Sequence, residues 1–106
     1  MDGSLERGKQ TLRREIDAID NAILHFLGAR VVAASKIAEL KRQANQPLQD
    51  TAREQEHLDH VEHAAERLGL FDPHAVRQIM QAVMAYCLRV EEQGEPGHDA
   101  SQVPGW

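Results

Sequence analysis

From Leu5 to Gln43 the chain runs without a proline, and Leu12, Ile16, Ile19, Ile23, Phe26, Arg30, Ala33, Ile37 and Leu40 follow one another at alternating steps of four and three. That spacing is the seam of an amphipathic helix, and the period excludes a strand. Such a helix would be roughly 55–60 Å long at 1.5 Å per residue, whereas a compact domain of about 100 residues has a radius of gyration near 13 Å. The chain has 106 residues, enough for one small core. The helix therefore overhangs its own domain, and a second copy of the chain is the economical cover for its seam. Gly28 inside it costs about 1 kcal/mol relative to alanine and marks either a close helix crossing or a tolerated interruption.

Two further helices follow. Residues Ala44 to Gln49 read as a loop, because the residue before Pro47 is pushed out of the helical region. Helix two begins at Asp50 or Thr51, either of which can cap the first turn, with Thr51 and Glu54 at capping-box spacing. Its stripe is Leu58, Val61, Ala65 and Leu68, and Gly69 ends it. Helix three opens with the favoured pair Asp72 and Pro73. Its stripe is Val76, Met80, Val83 and Cys87, widened by Ile79, Met84 and Leu88. The expected fold is all-α, with three helices per chain over residues 1–93. The aperiodic, Gly- and Pro-rich stretch from Gly94 to Trp106 is expected to be a mobile tail.

Composition narrows the function. Only Phe26, Phe71, Tyr86 and Trp106 are aromatic, so the core must be aliphatic. Twelve Lys and Arg against seventeen Asp and Glu give a formal net charge of -5, which disfavours nucleic acid and anionic membranes as partners. The single cysteine, Cys87, forms no internal disulfide, and the first residues carry no signal-peptide pattern, so a reducing cytoplasm is expected. His57, His60 and His63 recur every third residue and drift by about 60° per step. A metal site usually needs three or four converging ligands, so a solvated face is the expected reading, with no metal and no cofactor.

Three charges interrupt the apolar seams: Arg30 on helix one, Glu54 on helix two and Glu91 on helix three. Each could be paired at the edge of a seam, because a buried charge is normally paired. Three interruptions on three helices are accounted for more simply by one polar pocket within a helical bundle. Lys41 lies eleven residues after Arg30, which is three turns and about 16 Å along nearly the same face. Those two cations suit opposite walls of one small-molecule pocket. Arg13 lies roughly 25 Å from Arg30 along the helix and is rotated by about 100°. It can serve the same ligand only from a partner subunit, and otherwise forms an exposed pair with Asp17. The array of Arg13, Arg30, Lys41 and Arg53 with Asp50, Glu54 and Glu91 contains no activated nucleophile. It points to recognition of a small anion with more than one carboxylate, and to electrostatic stabilisation of a transition state.

The run Leu12-Arg13-Arg14-Glu15-Ile16-Asp17-Ala18-Ile19-Asp20, then Arg30, Lys41 and Pro47-Leu48-Gln49-Asp50-Thr51-Ala52-Arg53-Glu54, resembles the all-helical chorismate mutase family from about Leu12 to Gln93. The resemblance implies an intertwined homodimer with two active sites, each completed by an arginine of the other subunit. It implies that Arg13 in trans and Arg30 hold the substrate carboxylates. Lys41 would contact a carboxylate and the ether oxygen, Asp50 and Glu54 the ring hydroxyl, and Arg53 would order this group. The implied reaction is the pericyclic rearrangement of chorismate to prephenate, without cofactor. The chain departs from the best-known bacterial members at Cys87 and Glu91, where they carry serine and glutamine. A glutamate there must be protonated to donate a hydrogen bond to the ether oxygen, and burial beside a dianion raises its pKa in that direction. Cys87 packs as a small apolar residue or makes a weak polar contact to the ligand.

Three other functions compete. Isochorismate pyruvate lyases share the fold but lack the Asp-x-x-Arg-Glu element seen at Asp50, Arg53 and Glu54. A mutase acting on 4-amino-4-deoxychorismate also fits, since carboxylates accept from an amine as readily as from a hydroxyl. A non-catalytic helical dimer, serving interaction or regulation, would need only the apolar seams.

Overall fold

The computed structural model describes residues 3–70 and 72–94, which form three helices and no strand. The first, α1, runs unbroken through Ser4–Gln43, 40 residues. It continues through Gly28 and stops where Ala44 and Asn45 turn the chain, Asn45 taking a left-handed φ of 55°. The second, α2, spans Thr51–Arg67. Of the two possible caps, Asp50 is the one used: its side chain accepts the Arg53 backbone N–H at 3.0 Å. Gly69, at φ 73°, leads the chain out of α2, a left-handed conformation that glycine adopts without a Cβ penalty. The third, α3, spans Pro73–Gln93, capped by Asp72, whose Oδ1 accepts the Ala75 N–H at 3.1 Å. Residues Phe71 and 95–106, and with them the tail and Trp106, lie outside the described residues.

Helix α3 is the common floor. It packs on α1 and on α2, while the backbones of α1 and α2 stay apart. The buried residues sit along these two seams: Val31 and Ala38 on α1, Leu58 and Ala65 on α2, Cys87 and Val90 on α3. Val31, Cys87 and Val90 cluster, with Ala34 and Val83 against them. Arg77 on α3 also fastens α2, donating to Asp59 at 2.8 Å, Glu62 at 3.3 Å and Gln55 at 3.0 Å.

The face of α1 that packs within the chain differs from the seam read in the sequence. Val31, Ala34 and Ala38 face α3, whereas Leu12, Ile16, Ile19, Ile23, Phe26, Ile37 and Leu40 are all more than half exposed. Small residues meet α3 because they allow the two helices to approach closely, and the large aliphatic ones are left facing outward. Two other stripe residues are corrected likewise: Ile79 is 64% exposed, and Leu68, at the C-cap of α2, is 77% exposed. The molecule measures 67 × 34 × 17 Å with a radius of gyration of 18.1 Å. That is well above the figure of about 13 Å for a compact chain of this length, as an overhanging helix requires.

Candidate active site

Because α3 holds α1 and α2 apart, a cleft opens between the latter two. It encloses about 470 Å³ and is lined from α1 by Arg30, Ala33, Ala34, Ile37 and Lys41, from α2 and the loop before it by Leu48, Asp50, Arg53, Glu54 and His57, and from α3 by Met84, Cys87, Leu88 and Glu91. A cavity of this size, mostly apolar with a few convergent polar groups, suits a small organic ligand. Seven of the eight residues singled out in the sequence, namely Arg30, Lys41, Asp50, Arg53, Glu54, Cys87 and Glu91, meet here. Arg13 is not among the lining residues. It lies on the same rigid helix roughly 25 Å before Arg30, and it forms no ion pair with Asp17.

The interrupting charges do not neutralise one another. Arg30, Glu54 and Glu91 form no ion pairs among themselves. Arg30 instead donates from Nη1 to Cys87 Sγ at 3.0 Å, across the α1–α3 seam. Sulfur is a weak acceptor, so the guanidinium keeps most of its hydrogen-bonding capacity. The Lys41 ammonium donates to the Leu48 carbonyl at 2.9 Å, drawing the loop over the end of α1. One of its three N–H groups is used there and two remain. Arg42, the next residue, reaches sideways and donates to the Glu91 carbonyl at the end of α3, while its other arm lies 3.7 Å from Glu39. Adjacent residues of α1 thus secure the loop on one side and the last turn of α3 on the other.

Electrostatics distinguish the carboxylates. Burial pushes the Glu91 carboxyl above its ordinary range, with Glu54 adding to the rise, and the cations Lys41, Arg30 and Arg42 oppose it. Asp50 has one oxygen engaged by the Arg53 backbone N–H, which leaves the other open to the cleft. The Arg53 guanidinium lies 4.0 Å from Glu56 and is largely exposed, so in this chain it leans outward from the rim.

Reasoning from sequence missed His57 and the apolar wall of Ile37, Met84 and Leu88. The signal for His57 was present: it lies three residues after Glu54 and four after Arg53, on the same side of α2. His60 and His63 do not line the cleft. His63 contacts the Asp59 carbonyl at 2.8 Å on the surface, and His60 is exposed. Among the described residues no group of His, Cys, Asp and Glu is placed to hold a metal ion, and no helix is long and apolar enough to cross a membrane.

Comparison with known proteins identifies the family of the chain. The family described as chorismate mutase type II matches residues 12–92. The chain is similar to a bifunctional chorismate mutase/prephenate dehydratase of Aquifex aeolicus (strain VF5), 33% identical over 84 residues, which cover 77% of this chain and 23% of that relative. The chain therefore spans less than a quarter of the relative's length. No solved structure matches it.

Proposed function

The chain belongs to the chorismate mutase type II family, and from that premise we propose that its cleft rearranges chorismate to prephenate. The observation that carries this reading is the convergence of Arg30, Lys41, Asp50, Glu54 and Glu91 from three elements on one cavity, with the two cations not consumed by ion pairs. Arg30 and Lys41 can each receive a negatively charged group of a small ligand.

The reaction is unimolecular and needs the enolpyruvyl arm folded over the ring. Arg30 holds one carboxylate, and a second cation fixes the other, which selects the reactive conformer. The ring hydroxyl donates to the free oxygen of Asp50 and to Glu54. As the carbon–oxygen bond breaks, charge grows on the ether oxygen. Lys41 meets it with an N–H not used on Leu48, and Glu91 donates from its protonated carboxyl. The two negative charges of the substrate push Glu91 further toward its neutral acid. No covalent intermediate and no cofactor is required. The apolar wall of Ile37, Met84 and Leu88 strengthens these interactions by keeping bulk water from the ether oxygen.

The second cation is Arg13 of another copy of the chain. Leu12, Ile16, Ile19 and Ile23 are each between 54% and 58% exposed. Two copies that lay their α1 helices together cover these seams and carry each Arg13 toward the other copy's cleft, a twofold arrangement in which both sites are completed alike. A cytoplasmic setting, which keeps the free thiol of Cys87 reduced, belongs to the same reading.

The decisive experiment offers the purified protein chorismate, isochorismate and 4-amino-4-deoxychorismate separately and identifies the products. Prephenate from chorismate is expected, at a far higher rate than any product of the other two. No turnover of any of the three refutes an enzymatic role.

A further inference from the structure

His57 is half-buried on the α2 wall of the cleft, one turn beyond Arg53 and Glu54. It is the one histidine among the described residues that lines this cavity. The charges that act on it are those of Arg30 from α1 and of Arg53 and His60 from its own helix, and Lys41 on α1, Asp50 before α2, Glu54 on α2 and Cys87 and Glu91 on α3 bound the same cavity. Arg30 is the cation that the proposed function assigns to a substrate carboxylate, and Arg53 is a second positive charge acting on the ring. An imidazole near both lies where carboxylate charge arrives when the cleft fills.

We infer that His57 is a substrate-binding residue, which accepts a proton from solvent onto its free ring nitrogen as a dicarboxylate enters and then donates a charge-assisted hydrogen bond to the carboxylate held by Arg30. The inference rests on the reading of the cleft as a chorismate site. Without a dicarboxylate, burial first and then the charges of Arg30 and Arg53 hold the imidazole below its ordinary pKa, which favours the neutral ring. A bound dicarboxylate cancels those charges and adds negative charge of its own, so the same ring becomes the more basic group. The sign follows from linkage. Binding is tightest below the free-state pKa, weakens as pH rises toward the bound-state pKa, and is flat above it. Glu91 also takes up a proton on binding and acts in the same direction, so the two must be separated by substitution. His57 differs from it in role, because it stands on the carboxylate side of the site and Glu91 serves the ether oxygen.

The test measures KM for chorismate from about pH 5.5 to about pH 8, and the proton uptake that accompanies binding of prephenate, by calorimetry in two buffers of different ionisation enthalpy. Wild-type KM is expected to rise with pH by up to about tenfold for each unit that separates the free and bound pKa values. In His57→Asn the rise shrinks, KM stays near the wild-type high-pH value, and uptake falls. In Glu91→Gln a fraction of the uptake persists. His57→Gln should repeat the Asn result. If both His57 variants keep the full pH dependence and uptake, or if Glu91→Gln alone abolishes the uptake, the inference is overturned while chorismate turnover stands. If the wild-type protein does not turn over chorismate, the site reading fails, and this inference fails with it.

Discussion

Mixing two inactive variants provides the strictest test of a shared site. Arg13 and Arg30 lie on one unbroken helix, roughly 25 Å apart along its axis, so a single copy of the chain cannot bring both to one small ligand. Arg13→Ala and Arg30→Ala should each lose about 30-fold to several thousand-fold in kcat/KM, the range for truncating one side of a desolvated charge pair at about 2–5 kcal/mol. If two copies share their sites as proposed, each variant alone has two defective sites per dimer. In a mixed dimer, the chain carrying Arg13→Ala still has its own Arg30, and its partner supplies an intact Arg13, so that site is whole. The other site lacks both arginines. Random exchange of equal amounts makes about half the dimers mixed, each with one working site of two, so about a quarter of wild-type activity should return. The assay follows chorismate consumption after the two proteins are unfolded together and refolded, with size-exclusion chromatography and light scattering to count chains. Recovery no greater than the sum of the parents, or wild-type activity in Arg13→Ala alone, refutes the trans assignment.

Other outcomes follow from single residues. Because Glu91 is held above its ordinary pKa and acts as an acid in the proposed mechanism, activity should fall as pH rises through that pKa, and Glu91→Gln should flatten the kcat profile and exceed wild type at high pH. The same shift bears on stability. The folded chain binds this proton more tightly than the unfolded chain, whose reference value is 4.5, so the cost of ionising Glu91 appears as pH rises above that value. Glu91→Gln should therefore raise Tm at about pH 8 and leave it unchanged at about pH 4, read by thermal melts at the two values. Arg77→Ala removes the contacts with Asp59, Glu62 and Gln55 that fasten α3 to α2. It should lower Tm and leave kcat and KM for chorismate unaltered, since Arg77 does not line the cleft. Asp72→Ala should cost about 1 kcal/mol in urea denaturation through loss of the α3 cap, and Asp72→Asn should restore most of it.

The helix ends were legible because local chemistry sets them: Pro47 and Pro73 break the pattern, and Asp50, Asp72 and Gly69 supply the caps. The inner face of α1 was not legible. Periodicity reports every surface that a residue will cover, in its own chain or against another, and the largest aliphatic residues dominate it. Val31, Ala34 and Ala38, which meet α3, are smaller and leave a weaker mark. The charged members of the cleft stood out because a charge on an apolar seam demands a reason. His57 did not, since a histidine in a row of histidines on a polar helix reads as surface. Nor could Ile37, Met84 and Leu88 be told from ordinary core, because an apolar cleft wall and a packed seam use the same residues. The leaning of Arg53 toward Glu56 depends on rotamers that spacing does not encode.

Helix α1 also acts as a ruler. Arg13, Arg30 and Lys41 are three marks on one continuous rod, and each inserted or deleted residue between them turns everything beyond it by about 100° and shifts it by about 1.5 Å. A loop can absorb such a change, but a helix transmits it. One extra residue between Arg30 and Lys41 would swing Lys41 and Arg42 off the loop and the α3 end that they hold. If Arg13, Arg30 and Lys41 serve the proposed site, changes of length should be tolerated in the segments between the helices and at the termini, while the span from Arg13 to Lys41 should have to keep its residue count.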